Sequence, residues 1–133
     1  MSAGRVGFVG DSYSSGHELP ASAAMPRVVA RALSTETVSA AVGGQGYTIG
    51  GQVAFLGQVE RLPDCLDTVV VTGGFNDVMR GVPAPQVGVA AAAVFARVRQ
   101  RWPRARLVVG YWWHHLALTP WAQEVWAAIR AAA

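Results

Sequence analysis

The sequence predicts a parallel α/β fold, and three observations carry that reading. Apolar, β-branched runs alternate four times with helix-patterned segments, and each run ends in glycine or another turn-forming residue. The whole pattern fits within 133 residues, the size of one core. Strands that alternate with helices in this way form a three-layer α/β/α arrangement, a parallel sheet with right-handed crossovers and helices on both faces. A hydrophobic fraction of 52% against a charged fraction of 14% is the balance of a globular chain rather than a disordered one.

The elements follow in order. Val6-Gly7-Phe8-Val9 is a short apolar run suited to a strand buried on both faces, and Gly10-Asp11-Ser12 ends it. From Met25 to Leu33 a short helix is expected, with Pro26 in its first turn, Val29 and Leu33 on one face, and Arg27 and Arg31 on another. Thr37 to Val42 supplies a second strand, broken by Gly43-Gly44-Gln45-Gly46. Val53, Leu56 and Val59 then recur at helical spacing until Pro63. Asp67 to Thr72 is the clearest strand, closed by Gly73-Gly74. Val87, Ala91, Val94, Val98 and Trp102 mark a long amphipathic helix whose outer face carries Arg97, Gln100 and Arg101. Arg106 to Tyr111 is the fourth strand, and Pro120 opens a last helix in which Trp121, Val125 and Ile129 share a face. No repeat or linker interrupts the pattern, so residues 1–133 are read as one domain.

Composition narrows the chemistry. All eleven basic residues are Arg, which removes the phosphate-loop lysine, the Schiff-base amine and a lysine general base. The net charge is +3, but five Arg crowd into positions 97, 99, 101, 104 and 106 without interleaved aromatics. They read as a solvated helix face, and no nucleic-acid partner is expected. Cys65 stands alone, so neither an intrachain disulfide nor a multi-cysteine metal site can form. The first residues lack the apolar stretch of a signal peptide, and no run reaches the roughly 20 apolar residues of a membrane span. A soluble, cytoplasmic protein without a cofactor, metal or membrane contact is expected.

In a parallel sheet the ligand site lies beyond the C-terminal strand edges. That gathers Gly10 to Gly16, Gly43 to Thr48, Gly73 to Asp77 and Trp112 to Thr119. Nucleotide binding fails on motif, because Ile49 stands where the dinucleotide fingerprint needs its third glycine. The G-x-S-x-G elbow fails too, since Ser14 occupies its last glycine position.

What remains is Gly10-Asp11-Ser12 after strand one, Gly46 and Thr48 after strand two, and Gly74-Phe75-Asn76-Asp77 after strand three. In these three blocks the chain resembles the SGNH/GDSL hydrolase superfamily, with Tyr13 where the eponymous leucine often stands. The resemblance implies a flavodoxin-like sheet and a serine esterase acting on a small-molecule ester, an acetylated carbohydrate among the candidates. It implies Ser12 as nucleophile, with the Ser12 and Gly46 N–H groups and the Asn76 amide as the oxyanion hole. Trp112, Trp113 and Tyr111 offer an aromatic surface for a sugar ring or an acyl group.

The fourth block of the family, Asp-x-x-His, is absent. The only Asp residues are 11, 64, 67 and 77, and the family's last strand and helix are missing from the pattern. His114 and His115, after strand four, are the candidate bases, and His17 is read as a rim residue. Serine without its base is a poor nucleophile, so these residues alone are expected to be inactive or very weak. A C-terminally incomplete domain, a chain completed by another segment or polypeptide, and a non-catalytic carbohydrate- or partner-binding relative all fit that pattern.

Overall fold

The computed structural model describes residues 4–111 and 119–133. Four strands, β1 (Arg5–Gly10), β2 (Glu36–Ser39), β3 (Thr68–Thr72) and β4 (Arg106–Gly110), form one parallel sheet in the order β2-β1-β3-β4. The helices are α1 (Ser12–Ser15), α2 (Met25–Leu33), α3 (Phe55–Arg61), α4 (Phe75–Met79), α5 (Ala84–Arg101) and α6 (Pro120–Ala132). Short 3₁₀ turns at Ala21–Ala23 and Gly51–Val53 lead into α2 and α3. This is the three-layer α/β/α, flavodoxin-like arrangement the sequence predicts.

β1 lies between β2 and β3, so both of its edges are hydrogen-bonded, and with helices packed over the sheet its residues after Arg5 are all buried. That placement explains a continuous apolar run in place of an alternating one. Val9, Val69 and Val71 point into the main core, where Phe55, Val59, Val87, Val94, Phe95, Val98, Val125 and Ile129 of α3, α5 and α6 meet them. The alternate residues of β1, Val6 and Phe8, point to the opposite face, on the side where α2 runs back to β2.

The α5 pattern is fully realised: Val87, Ala91, Val94, Val98 and Trp102 are all buried. Two arginines, Arg97 and Arg101, depart from the reading of a solvated face, while Arg99 stays exposed. The Arg101 guanidinium donates to the Val59 and Leu62 carbonyls at 2.5 and 2.9 Å and to Asp64 at 2.8 Å, and stacks over Trp102. Arg97 pairs with Glu60 through two bonds. Both side chains therefore tie α5 to the C-terminal end of α3.

Three expected faces are rotated. In α3 the buried residues are Phe55, Gln58 and Val59, and Leu56 is exposed. In α6 they are Ala122, Val125 and Ile129, while Trp121 is 47% exposed. α2 has the predicted bounds, but Leu33 faces solvent. Among the described residues β4 pairs only with β3, and Val108 on its outer face is 41% exposed.

The register sets the functional edge. Gly10, Thr72 and Gly110 lie level across β1, β3 and β4. The Ala40 and Val42 N–H groups donate to the Phe8 and Gly10 carbonyls at 2.9 and 3.1 Å, which carries the chain after β2 to the same level. Segments 11–16, 43–48 and 73–77 thus leave the sheet side by side.

Candidate active site

The end of β1 is held from beneath by Gln58, a buried side chain that sequence reasoning missed. Its Oε1 accepts the Gly10 N–H at 2.8 Å, and its Nε2 donates to the Gly10 and Val53 carbonyls at 2.9 Å each. All of its capacity to fix the backbone just before Asp11 is used. Gln58→Leu leaves these buried groups without partners, at roughly 1–3 kcal/mol for each group not recovered by water. The expected loss is about 2–4 kcal/mol of stability, measured as a lower urea midpoint with unchanged slope.

Asp11 caps α1, its Oδ1 accepting the Tyr13 N–H at 2.9 Å, and Gly16 closes the helix at φ 79°. Ser12 is therefore the first residue of a single helical turn at the strand end, half-buried. Among the described residues no group accepts its N–H and none bonds its hydroxyl. Behind it the Ser14 hydroxyl bonds the Thr72 hydroxyl, tying the turn to β3.

The second loop is shaped by Asp77. The Tyr47 and Thr48 N–H groups donate to its two oxygens at 3.1 and 2.9 Å, and the Thr48 hydroxyl adds a bond of 2.6 Å. Glycine at 46 is a steric requirement, because a Cβ there would lie 3.0 Å from Asp77 Oδ1 and nearer still to Oδ2. The Gly46 N–H, an expected oxyanion donor, is engaged by the Ile49 carbonyl at 3.0 Å. On the third loop Gly74 adopts φ 116° to start α4, which projects Asn76 toward the second loop. One Asn76 N–H donates to the Gln45 carbonyl at 2.7 Å, and the amide nitrogen keeps a second hydrogen.

Ser12, Gly46 and Asn76 thus stand on three neighbouring segments that touch. A Cβ at Gly43 would sit 3.7 Å from that of Ser12, Asn76 bonds the residue before Gly46, and the Tyr13 and Phe75 rings meet edge to face at 6.0 Å. An open cavity of about 330 Å³ lies beside Ser12, lined by Ser12, Tyr13, His17 and Leu19. The His17 side chain is 70% exposed, at its rim, 3.7 Å from Glu18. His114 and His115 lie outside the described residues, as do Trp112 and Trp113. Tyr111, one of the aromatics that could line the site, packs against the core: its hydroxyl donates to the Ala122 carbonyl at 2.9 Å and its ring stacks on Trp126 of α6.

Asp11 is the electrostatic outlier. Burial pushes its carboxyl up from 3.8 to about 6, the Asp77 charge adds to this, and the Tyr13 N–H bond opposes it. The folded chain thus holds a proton at Asp11 that the unfolded chain releases between about pH 4 and 6. This group makes stability fall as pH rises through that window, by roughly 3 kcal/mol, and the loss persists above it. Asp11→Asn keeps a capping oxygen and removes the titration. Relative to the wild type it is expected to gain about that amount between pH 4 and 7, read from unfolding free energies at both values.

The blocks, their order and their convergence define the chain's class. Residues 8–133 match the model of the GDSL-like lipase/acylhydrolase family, and the chain belongs to that family. Solved structures agree in fold. One described as TesA superimposes with a TM-score of 0.77 at 20% identity, covering 96% of this chain and 72% of its own. AlinE4, described as an SGNH-hydrolase family esterase, gives 0.76 at 15% identity, covering 99% and 71%. A carbohydrate esterase, whose active site is described as displaying divergent catalytic and non-catalytic binding functions, gives 0.75 at 14% identity, covering 99% and 55%. A comparison with curated protein sequences gives no match.

Proposed function

We propose that this chain is the nucleophile- and oxyanion-bearing part of a serine ester hydrolase. Ser12 Oγ attacks the ester carbonyl, and the oxygen that becomes negative is received by the Ser12 N–H, the second Asn76 N–H and the Gly46 N–H. The observation that carries this reading is the Ser12 N–H and hydroxyl, which no described residue engages, set beside a cavity and against the segments bearing Gly46 and Asn76. Gly46 would share its N–H between Ile49 and the oxyanion. The tetrahedral intermediate collapses when the alcohol leaves with a proton, and water then releases the acyl group from Ser12.

Both proton transfers need a base. The sequence has no Asp-x-x-His, and no described histidine bonds the Ser12 hydroxyl. Residues 1–133 alone are therefore expected to turn over slowly or not at all. His114 and His115 are the candidate bases within the chain, and a segment or polypeptide carrying Asp-x-x-His is the alternative source. A small-molecule ester is the substrate class. Acetylated carbohydrate is favoured by the likeness to a carbohydrate esterase.

The test is hydrolysis of p-nitrophenyl acetate by residues 1–133, with and without added polypeptide bearing that block. A large rise on completion, abolished by Ser12→Ala, is the expected result; a completed protein indifferent to Ser12→Ala contradicts it. A second reading, a non-catalytic binding relative, is favoured by the engagement of Gly46 N–H and one Asn76 N–H by protein carbonyls. It requires ligand binding that survives Ser12→Ala, with no turnover at any pH.

A further inference from the structure

Two carboxylates, Asp11 and Asp77, are buried beneath the candidate site, and among the described residues neither has an Arg or His partner. Like charges buried together without a cation are relieved when one carboxyl keeps its proton. The hydrogen bonds decide which one. Asp77 accepts three, from the Tyr47 and Thr48 N–H groups and the Thr48 hydroxyl. Asp11 accepts one, from the Tyr13 N–H on Oδ1, and among the described residues its buried Oδ2 has no partner. The third group of the cluster is Tyr47, whose hydroxyl is likewise buried and unpartnered. Burial and the charges of Asp77 and Asp11 all push the Tyr47 phenol up, so it stays protonated and neutral. His17, the one described histidine, faces solvent. The vacant oxygen for a proton is Asp11 Oδ2.

The consequences run into the loops. Asp11 Oδ1 holds the turn that begins at Ser12, and Asp77 holds Tyr47 and Thr48 directly after Gly46. A Cβ at Gly73 would lie 3.4 Å from Asp11 Oδ2, so the segment leading to Asn76 packs against the same oxygen. A neutral Asp11 would let these segments approach and would leave no negative charge beside Ser12 to compete with an oxyanion; an ionised Asp11 would repel Asp77 and with it the second loop.

We propose that Asp11 is a positioning residue for Ser12 and Gly46, and that uptake of one solvent proton on its Oδ2 sets the spacing of their backbone N–H groups. This rests on the reading that those N–H groups receive the oxyanion, but its test needs no ester and no turnover. In uniformly ¹³C,¹⁵N-labelled protein titrated from pH 4 to 8, the Asp11 carboxyl carbon is expected to shift with a midpoint near 6. The Ser12, Gly46 and Thr48 amides should follow with the same midpoint. Asp11→Asn, and separately Asp11→Ser, which keeps a capping oxygen in a smaller side chain, should abolish that step in a folded chain. An Asp11 midpoint near 4, or Ser12 and Gly46 amides that ignore the Asp11 titration, overturns the proposal. A positive titration in a protein that labels on no serine separates failure of the hydrolase reading from failure of this one.

Discussion

Asp77→Ala is expected to be the most damaging single substitution to stability, at about 3–5 kcal/mol. Three donors lose their acceptor at once, and the Tyr47 N–H has no access to water. Hydrogen bonds to a charged acceptor contribute more than neutral ones, and the vacated volume adds a cavity term. Relief of repulsion with Asp11 works in the opposite direction, but it recovers only part of the loss because Asp11 keeps its own burial cost. Asp77→Asn should fall between, since its amide oxygen can still accept while its NH₂ opposes the donors around it. Gly46→Ala attacks the same contact from the other side, driving a methyl group into the Asp77 carboxylate. Combined with Asp77→Ala it should therefore cost much less than the sum of the two, a coupling that a double-mutant cycle in urea reads directly.

The largest effect on chemistry is expected at Asn76. If its free N–H receives the oxyanion, Asn76→Ala lowers kcat of the base-completed enzyme by roughly 10²–10³, with KM nearly unchanged. Asn76→Asp, isosteric but charged and without the donor, should be at least as damaging. Stability is expected to change far less than at Asp77, because only the bond to the half-buried Gln45 carbonyl is lost. Steady-state kinetics paired with urea melts separates the two effects. Equal falls in kcat and in folding stability would make Asn76 a loop brace rather than an oxyanion donor.

Backbone layout was legible in the sequence wherever a pattern had one physical cause. α5 was readable because Val87, Ala91, Val94, Val98 and Trp102 keep to one helical stripe for about four turns, and the glycine breaks after the strands marked the functional edge. α3 was not. Val53 belongs to the 3₁₀ turn before α3, so the spacing of Val53, Leu56 and Val59 spans two elements and does not define the helix's buried face. The stripe that exists is Phe55, Gln58, Val59 and Leu62, and Leu56 lies about 110° from its centre. It was overlooked because a glutamine sits in it. Trp121 is misread for a related reason: Ala122 lies nearer the middle of the buried stripe of α6.

The same limit applies to the site. Ser12, Gly46 and Asn76 were identified through the blocks they stand in, and their segments meet. The side chains that support them were not, because Asp11, Asp77 and Gln58 are polar residues whose burial depends on partners 30 to 66 positions away or on elements closing over them. In the sequence both Asp residues stand in turns that follow strands, with nothing to mark them as buried. Tyr111 shows the converse, an aromatic at a strand end drawn into the core by a helix that starts nine residues later. Arg101, placed by period on an outer face, reaches three acceptors around the end of α3 because its long stem lets the head fold back.

The proposal that Ser12 is a nucleophile poised against preset oxyanion donors is tested most directly by covalent labelling of residues 1–133 with excess fluorophosphonate. The tetrahedral phosphonyl adduct places an anionic oxygen where the ester oxyanion would lie. Donors without the base still retain roughly 10³–10⁴ over water in triad hydrolases. A slow, single adduct on Ser12, absent in Ser12→Ala, is therefore expected. It should form at least a hundredfold faster in the folded chain than in the same chain unfolded in urea. Folded and unfolded chains that label at equal rates, or an adduct on any other residue, would contradict it.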